Sequence, residues 1–193
     1  MTDFLDTPSG RRIAYHRTQG QGTGIVFLGG FMSDMDGTKA TALEAWAKSL
    51  GRPFLRFDYS GHGQSDGKFV DGCIGAWAQA AQAAIEDLTD GPQVIVGSSM
   101  GGWIALLMSQ RISAKVAGLV GIAAAPDFTE DSFLAGFSPN QIIELEEKGV
   151  VMVPSDYGDP YPITSKLIED GRQNLVLRTP LPLPFPVRFL QGT

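Results

Sequence analysis

The chain has 193 residues, 43% of them hydrophobic and 19% charged, which is typical of one globular domain and excludes a disordered or fibrous chain. Its 15 basic and 21 acidic residues give a net charge of −6, so a nucleic-acid partner is not expected. The single cysteine, Cys73, excludes a disulfide framework and a zinc site of clustered cysteines. Without a secretory signal or an apolar run near the ~20 residues that cross a bilayer, the sequence predicts a cytoplasmic protein with no membrane span.

Strand-like and helix-like segments alternate along the first part of the chain. Strands are predicted at residues 12–18, 24–29, 53–58, 93–96 and 115–123, and helices at residues 37–50, 74–88 and 103–108. Short buried strands that alternate with helices form parallel sheets covered on both faces. No Asn-Gly or Asp-Gly pair joins neighbouring strands as an antiparallel hairpin would require. The sequence therefore predicts an α/β fold with a mostly parallel, doubly wound sheet.

The regular alternation ends at Pro126. Helices are predicted near residues 140–148 and 163–170, with an aromatic, proline-bearing loop at residues 154–162. Four prolines, at positions 180, 182, 184 and 186, predict an extended approach to a last strand at residues 187–190.

The most informative motif is GSSMGG at residues 97–102, which places the pattern G-x-S-x-G on Ser99. A nucleophile elbow needs a strand before the serine, a helix after it, and glycines two positions away on each side, because side chains there would clash. All of these parts surround Ser99, which we predict to be a catalytic nucleophile. The alternative is a Gly-Ser turn that binds an anion at the helix N-terminus.

Two other serines fit these requirements less well. Ser65 is the centre of a second G-x-S-x-G match, but it lies within a loop, and KFVDG at residues 68–72 follows it in place of a helix. It is expected to be a turn residue. Ser98 lacks the flanking glycines and is expected to pack beneath the turn.

An acyl-transfer serine also needs backbone N–H groups that stabilise the negative oxygen of the transition state. The residue after the nucleophile, Met100, supplies one such group, and the loop after an earlier buried strand supplies the second. That loop has the sequence GGFMS at residues 29–33, and we assign the second donor to Phe31. The alternative is that the two glycines only turn the chain.

Three segments resemble the α/β-hydrolase superfamily: FLGGF at residues 27–31, RFDYSGHGQSDG at 56–67 and VGSSMGGW at 96–103. MDGTKA at residues 35–40 and DGPQ at 90–93 narrow the resemblance to a mitochondrial subfamily of serine hydrolases, described as palmitoyl-protein thioesterases and acyl-glucuronide esterases. The resemblance implies that Ser99 is the nucleophile, that Phe31 and Met100 form the oxyanion hole, and that residues 127–175 form a small helical cap. It also implies a location in the mitochondrial matrix if the gene is eukaryotic.

The catalytic acid and histidine of this family cannot be assigned in the sequence. In the family they follow a late strand that residues 187–193 match. We therefore expect residues 1–193 to be a single domain whose C-terminal part is absent, truncated after the strand preceding the acid and nearly inactive. His62 and Asp127 are candidate pocket residues, His62 as a base and Asp127 as an acid, because both follow strands whose carboxyl ends meet at the ligand-binding edge of the sheet. The alternatives are a turn residue for His62 and a helix N-cap for Asp127.

These residues together predict a serine hydrolase that cleaves carboxylic esters or thioesters through an acyl-serine intermediate and needs no cofactor or metal. The expected substrate is a small acyl ester or thioester, or an S-acylated protein. Its acyl group is expected to contact apolar side chains of the cap, namely Phe128, Phe133, Leu134, Phe137 and Tyr157. Two alternatives stay open: a catalytically inactive binding or regulatory protein of the same fold, and a hydrolase of C–C bonds.

Overall fold

A β-sheet forms the centre of the part of the chain that the computed structural model describes, residues 2–155 and 158–192. Its strands lie in the spatial order β1, β2, β4, β3, β5, β6 and β9, and β7 and β8 form a separate hairpin. The strands are β1 Asp3–Asp6, β2 Arg12–Thr18, β3 Ile25–Leu28, β4 Phe54–Phe57, β5 Gln93–Ser98, β6 Val116–Ile122, β7 Val150–Ser155, β8 Gly158–Thr164 and β9 Val187–Leu190.

Most neighbouring strands of the central sheet run in the same direction. The pairs from β4 through β3, β5 and β6 to β9 are parallel, whereas β1 and β2 add an antiparallel edge. The mostly parallel, doubly wound arrangement predicted from the sequence is confirmed. It brings the carboxyl ends of β3, β5 and β6 to one edge of the sheet, where the connecting loops meet.

The three helices of the first part of the chain cover both faces of this sheet. They are α1 Thr38–Ser49, α2 Ile74–Leu88 and α3 Met100–Arg111. Alternate residues of β3 point to opposite faces: Val26 and Leu28 pack in one cluster with α2 and α3, and Ile25 and Phe27 pack with α1. Helix α3 is buried from its first residue to Ser109, so it lies in the interior of the molecule. Among the described residues, no helix is long and apolar enough to cross a membrane.

The segment between β6 and β9 contains a π-helical turn at Thr129–Leu134, helix α4 at Pro139–Lys148, the β7–β8 hairpin and helix α5 at Ser165–Gln173. Helix α4 begins at a capping box, in which Ser138 and Gln141 satisfy each other's backbone N–H groups. Gly149 ends the same helix in the left-handed conformation. Helix α5 begins where the Thr164 hydroxyl accepts the N–H of Leu167.

The prediction of a loop at residues 154–162 is wrong, because most of this segment belongs to the antiparallel β7–β8 hairpin. Its prolines argued against a strand, since proline cannot donate to a sheet ladder. In a two-stranded sheet each strand has one free edge, where a missing N–H costs nothing. Tyr157, one of the side chains predicted to contact the acyl group, lies outside the described residues.

Candidate active site

Ser99 occupies a strained turn between the end of β5 and the start of α3. Its φ of 53° and ψ of −120° lie in a backbone region that residues other than glycine rarely adopt. Hydrogen bonds hold the turn on both sides: the N–H of Ser99 donates to the oxygen of Ile122 at 3.0 Å, and the N–H of Ala125 donates to the oxygen of Ser99 at 3.1 Å. The end of β6 therefore fixes the backbone of Ser99.

The flanking glycines are required by close backbone contacts. A Cβ on Gly97 would overlap the backbone of Gly101, and a Cβ on Gly101 would overlap the carbonyl oxygen of Leu28. These contacts let the first turn of α3 pack directly on the ends of β5 and β3. The spacing of the motif thus follows from the geometry of the turn.

Ser99 is half-buried and lines a cavity of about 540 Å³, whereas its neighbour Ser98 is only 6% exposed. Within the described part of the chain, no residue forms a hydrogen bond with the Ser99 hydroxyl. Ser65 is placed differently: its hydroxyl donates to the oxygen of Asp58 at 2.7 Å and accepts the N–H of Ala14 at 2.8 Å. Ser65 therefore stabilises a turn, whereas Ser99 lines the cavity, where a ligand could contact it.

Two backbone N–H groups near the turn at Ser99 have no partner among the described residues. Met100 begins α3, where the first N–H groups of a helix have no partner within the helix. Phe31 lies in the loop after β3, and the preceding residue approaches the turn so closely that a Cβ on Gly30 would lie 3.4 Å from the Cβ of Ser99. Neither N–H donates to any residue that the structure describes.

Buried polar residues hold the loop that carries Phe31. The Asp58 carboxylate accepts the N–H of Met35 at 2.6 Å and the N–H of Gln64 at 2.8 Å. Burial nevertheless raises the pKa of Asp58 above its usual value, although these two hydrogen bonds lower it. The Arg56 guanidinium donates to the oxygen of Met35 at 2.8 Å.

Arg56 also donates to Glu44 of α1 at 2.8 Å, and both side chains are nearly buried. Burial alone would raise the pKa of Glu44, but hydrogen bonds from Thr18, Lys48 and Arg56 outweigh it and lower the pKa to about 2. This network ties α1, β4 and the loop after β3 together.

Phe31 is the centre of an aromatic cluster that forms one wall of the cavity. Its ring contacts five others edge-on at centroid distances from 4.8 to 6.0 Å, those of Phe69, Trp77, Phe128, Phe133 and Tyr161. Phe128, Phe133 and Tyr161 also line the cavity. Leu134 and Phe137 are partly buried against the core and are not among the lining residues.

His62 is buried behind this wall and does not line the cavity. Its ring packs edge-on against Tyr59, Phe69 and Trp77, and its Nδ1 lies 3.3 Å from the oxygen of Ser60. Burial lowers the pKa of His62 to about 4, so the imidazole is neutral near pH 7. Its Nε2 has no partner among the described residues.

Asp127 is also fully buried and is not a lining residue. Its carboxylate accepts the N–H of Val176 at 2.8 Å and that of Leu177 at 2.9 Å, which fastens the chain after α5 to the end of β6. Its backbone oxygen accepts the N–H groups of Glu130 and Asp131 at the start of the π-helical turn. Asp127 thus has a structural role at the start of the segment between β6 and β9, which we call the inserted segment.

The sequence did not single out the polar lining residues Ser33, Lys39 and Ser132. Lys39 lies in the first turn of α1, and nothing in its sequence context distinguishes it from an ordinary exposed lysine. No group of three or more His, Cys, Asp or Glu side chains is placed to hold a metal ion within residues 2–155 and 158–192.

The comparison with protein families identifies the fold. Residues 25–190 match the model of the alpha/beta hydrolase family. The chain belongs to the alpha/beta hydrolase family. The superfamily resemblance of its motifs is therefore confirmed, and the sheet described above is the alpha/beta hydrolase sheet.

Relatives of this alpha/beta hydrolase also confirm the narrower resemblance. "Palmitoyl-protein thioesterase ABHD10, mitochondrial" from Bos taurus is 40% identical over 98% of this chain and 62% of the bovine protein. Alpha/beta hydrolase domain-containing protein 10 from mouse is similar in structure, with a TM-score of 0.89 and 36% identity over 100% of this chain and 77% of that one. A protein from Agrobacterium vitis S4 has a TM-score of 0.95 and 38% identity, covering 100% of this chain and 78% of that one.

Two facts about the alpha/beta hydrolase follow from these matches. The chain spans 62% of the length of the bovine relative. Because that relative is named as mitochondrial, the cytoplasmic location predicted from the sequence is contradicted. Composition and the lack of an apolar span do not distinguish one compartment from another.

Proposed function

We propose that this protein is a serine hydrolase that cleaves carboxylic esters or thioesters, with Ser99 as its nucleophile. The observation that carries the proposal is the strained backbone of Ser99 at a cavity that Phe31 also lines. Among the described residues, the Ser99 hydroxyl and the N–H groups of Phe31 and Met100 have no partner. The names of the relatives, palmitoyl-protein thioesterases, support thioesters as the substrate class.

In the proposed reaction, the Ser99 oxygen forms a bond to the acyl carbon while its proton passes to a base. The carbonyl electron pair moves to the oxygen, which the N–H groups of Phe31 and Met100 stabilise. Collapse of this intermediate breaks the bond to the leaving sulfur or oxygen, which departs with a proton as a thiol or alcohol. Water then attacks the acyl-serine and releases the carboxylic acid.

The base is the part of the reaction that the two histidines do not supply. His62 is buried in the aromatic cluster, and His16 lies in β2 within hydrogen-bond reach of the Thr2 hydroxyl. We therefore propose that the 193-residue chain by itself reacts slowly, because loss of the histidine of a serine hydrolase lowers kcat by about 10⁶. The placement of these histidines equally favours a second candidate, a binding protein with this fold and no activity.

The inserted segment that contains α4, the β7–β8 hairpin and α5 contributes Phe133 and Tyr161 to the cavity wall. We propose that it acts as a cap, as the family resemblance implies for residues 127–175, and that the acyl group of the substrate packs on its aromatic side chains. A free acyl ester or thioester and an S-acylated protein are both compatible with a cavity bounded in this way. Acyl-CoA thioesters, p-nitrophenyl esters and an S-acylated peptide, compared at equal acyl length, test the substrate class.

Labelling with a fluorophosphonate tests the proposed nucleophile. We expect slow labelling of Ser99 in the 193-residue protein, identified by mass spectrometry, and faster labelling when imidazole is added as an external base. Ser99→Ala should abolish the label, and the matched variant Ser65→Ala should keep it. Labelling of a different residue, or no labelling with imidazole present, would reject the hydrolase in favour of the binding protein.

A further inference from the structure

The cavity at Ser99 has walls of two different kinds. The ring of Phe31 contacts those of Phe128, Phe133 and Tyr161, and the four rings form an apolar wall. A second pocket of about 180 Å³ shares Gly30, Ser33, Lys39 and Ser98 with the cavity but shares none of these four rings. Ser33, Ser98 and Lys39 therefore line a side of the cavity that is separate from the aromatic wall.

Lys39 is the charged residue of this polar side. The described residues that line the cavity include no Asp or Glu, and Lys39 makes no ion pair or hydrogen bond with the described residues. Two other lysines are engaged: Lys48 and Lys148 pair with glutamates four residues before them, at 3.0 and 3.1 Å. In a protein of net charge −6, an unpaired ammonium group in the lining of a cavity is available to an anionic ligand.

Asp34 limits where such an anion can bind. Its side chain lines the second pocket but not the cavity, and its carboxylate accepts the N–H of Asp36 at 2.9 Å. A negative group deep in the second pocket would meet this carboxylate. The favourable position is on the cavity side, near Lys39 and Ser33.

We propose that Lys39 is a specificity-determining residue that selects leaving groups carrying a negative charge. The inference rests on the proposed hydrolysis at Ser99. The acyl group occupies the aromatic wall, so the leaving group points to the polar side, and a carboxylate or phosphate on it meets the ammonium group of Lys39. The anion is separate from the sulfur or oxygen that departs, so the bonds made and broken at Ser99 are unchanged.

Binding to Ser99→Ala tests this inference without requiring turnover. The probes share one butanoyl thioester and differ in the thiol: 3-mercaptopropionate, its neutral isostere 3-mercaptopropionamide, and 2-mercaptoethyl phosphate. An ion pair exposed to solvent changes an equilibrium constant by about 2-fold to 5-fold, so calorimetry at low salt should show the anionic probes binding tighter than the amide by this factor. The probe with the larger ratio of affinity to that of the amide shows whether Lys39 prefers a carboxylate or a phosphate.

Lys68 provides the matched control, because it is exposed, makes no ion pair with the described residues and does not line the cavity. In Ser99→Ala/Lys39→Gln the ratio of affinities should fall to near 1, and in Ser99→Ala/Lys68→Gln it should be kept. Equal ratios in the two double variants, or no preference before Lys39 is changed, would overturn the inference. Failure of the proposed function appears separately, as a lack of Ser99 labelling in the otherwise unchanged protein, and leaves the affinity ratio to decide the role of Lys39.

Discussion

Gly101 packs against the carbonyl oxygen of Leu28, the last residue of β3, so closely that no Cβ would fit between them. One residue of this pair belongs to the first turn of α3, two positions after Ser99. The other leads directly into the loop that carries Phe31. The contact therefore sets the distance between the predicted nucleophile and one of its predicted oxyanion donors.

Gly101→Ala is expected to separate these two elements, because the new methyl group would overlap a backbone atom that cannot rotate away. A displacement near 1 Å in a catalytic site lowers rates by about 100-fold, and we expect a loss of this size in the rate of fluorophosphonate labelling. Gly136→Ala is the control, since a Cβ there meets nothing within 4 Å. Labelling of both variants at the wild-type rate would show that the contact does not position Ser99.

Asp127→Asn is expected to destabilise the fold. The asparagine amide is neutral and has one acceptor oxygen, so it cannot replace the carboxylate that accepts both the Val176 and the Leu177 N–H. Loss of charge-assisted hydrogen bonds in a fully buried site costs about 2–4 kcal/mol, measured as the free energy of unfolding in urea. Asp131→Asn removes a carboxylate of the same kind from an exposed ion pair with Arg178 and should cost less than about 1 kcal/mol. Similar losses in the two variants would contradict the structural role of Asp127.

His62 should make the stability of the protein depend on pH in mildly acidic solution. Its pKa is about 4 in the folded protein, because of burial, and near 6.5 when the chain unfolds. Between these values unfolding takes up a proton, so stability is complete above pH 6.5 and falls as the pH drops toward 4, by a total of about 3 kcal/mol.

His62→Phe should remove this part of the pH dependence while keeping the aromatic packing, and the Ser60 oxygen keeps its hydrogen bond from Trp77 at 3.0 Å. The measurement is the difference between the two unfolding free energies from pH 4 to pH 8. A difference that is constant across this range would show that His62 is not held neutral by the fold.

Arg56→Met is expected to destabilise the protein by about 3–5 kcal/mol, because it leaves the buried Glu44 carboxylate without its guanidinium partner. The double variant Arg56→Met/Glu44→Met removes both charges and should recover part of this loss. A thermodynamic cycle over the four proteins, from urea unfolding, gives the coupling between the two side chains. Strictly additive losses would contradict the pairing.

The order of helices and strands could be predicted from the sequence because it depends on local signals. Short, mostly apolar runs marked β3, β4, β5 and β6, and the Gly-rich turns marked the ends of several of them. Strand β1 gave no such signal, since Asp3–Asp6 is short and mostly exposed. The β7–β8 hairpin was missed because proline is tolerated on an edge that only the folded pairing defines.

The position of Ser99 could also be predicted, because the turn between β5 and α3 needs its glycines within two residues of the serine. The placement of His62 and Asp127 could not, since both follow strands that end at the same edge of the sheet and only packing decided which side chains face the cavity. The His62 ring packs in the aromatic cluster, and the Asp127 carboxylate accepts hydrogen bonds from backbone N–H groups about fifty residues later in the chain. Periodicity and turn chemistry are properties of residues that are close in the chain, so they can be recognised from the sequence. The walls of the cavity, including the separation of Lys39 from the aromatic rings, arise from contacts between distant segments, and only the tertiary structure determines them.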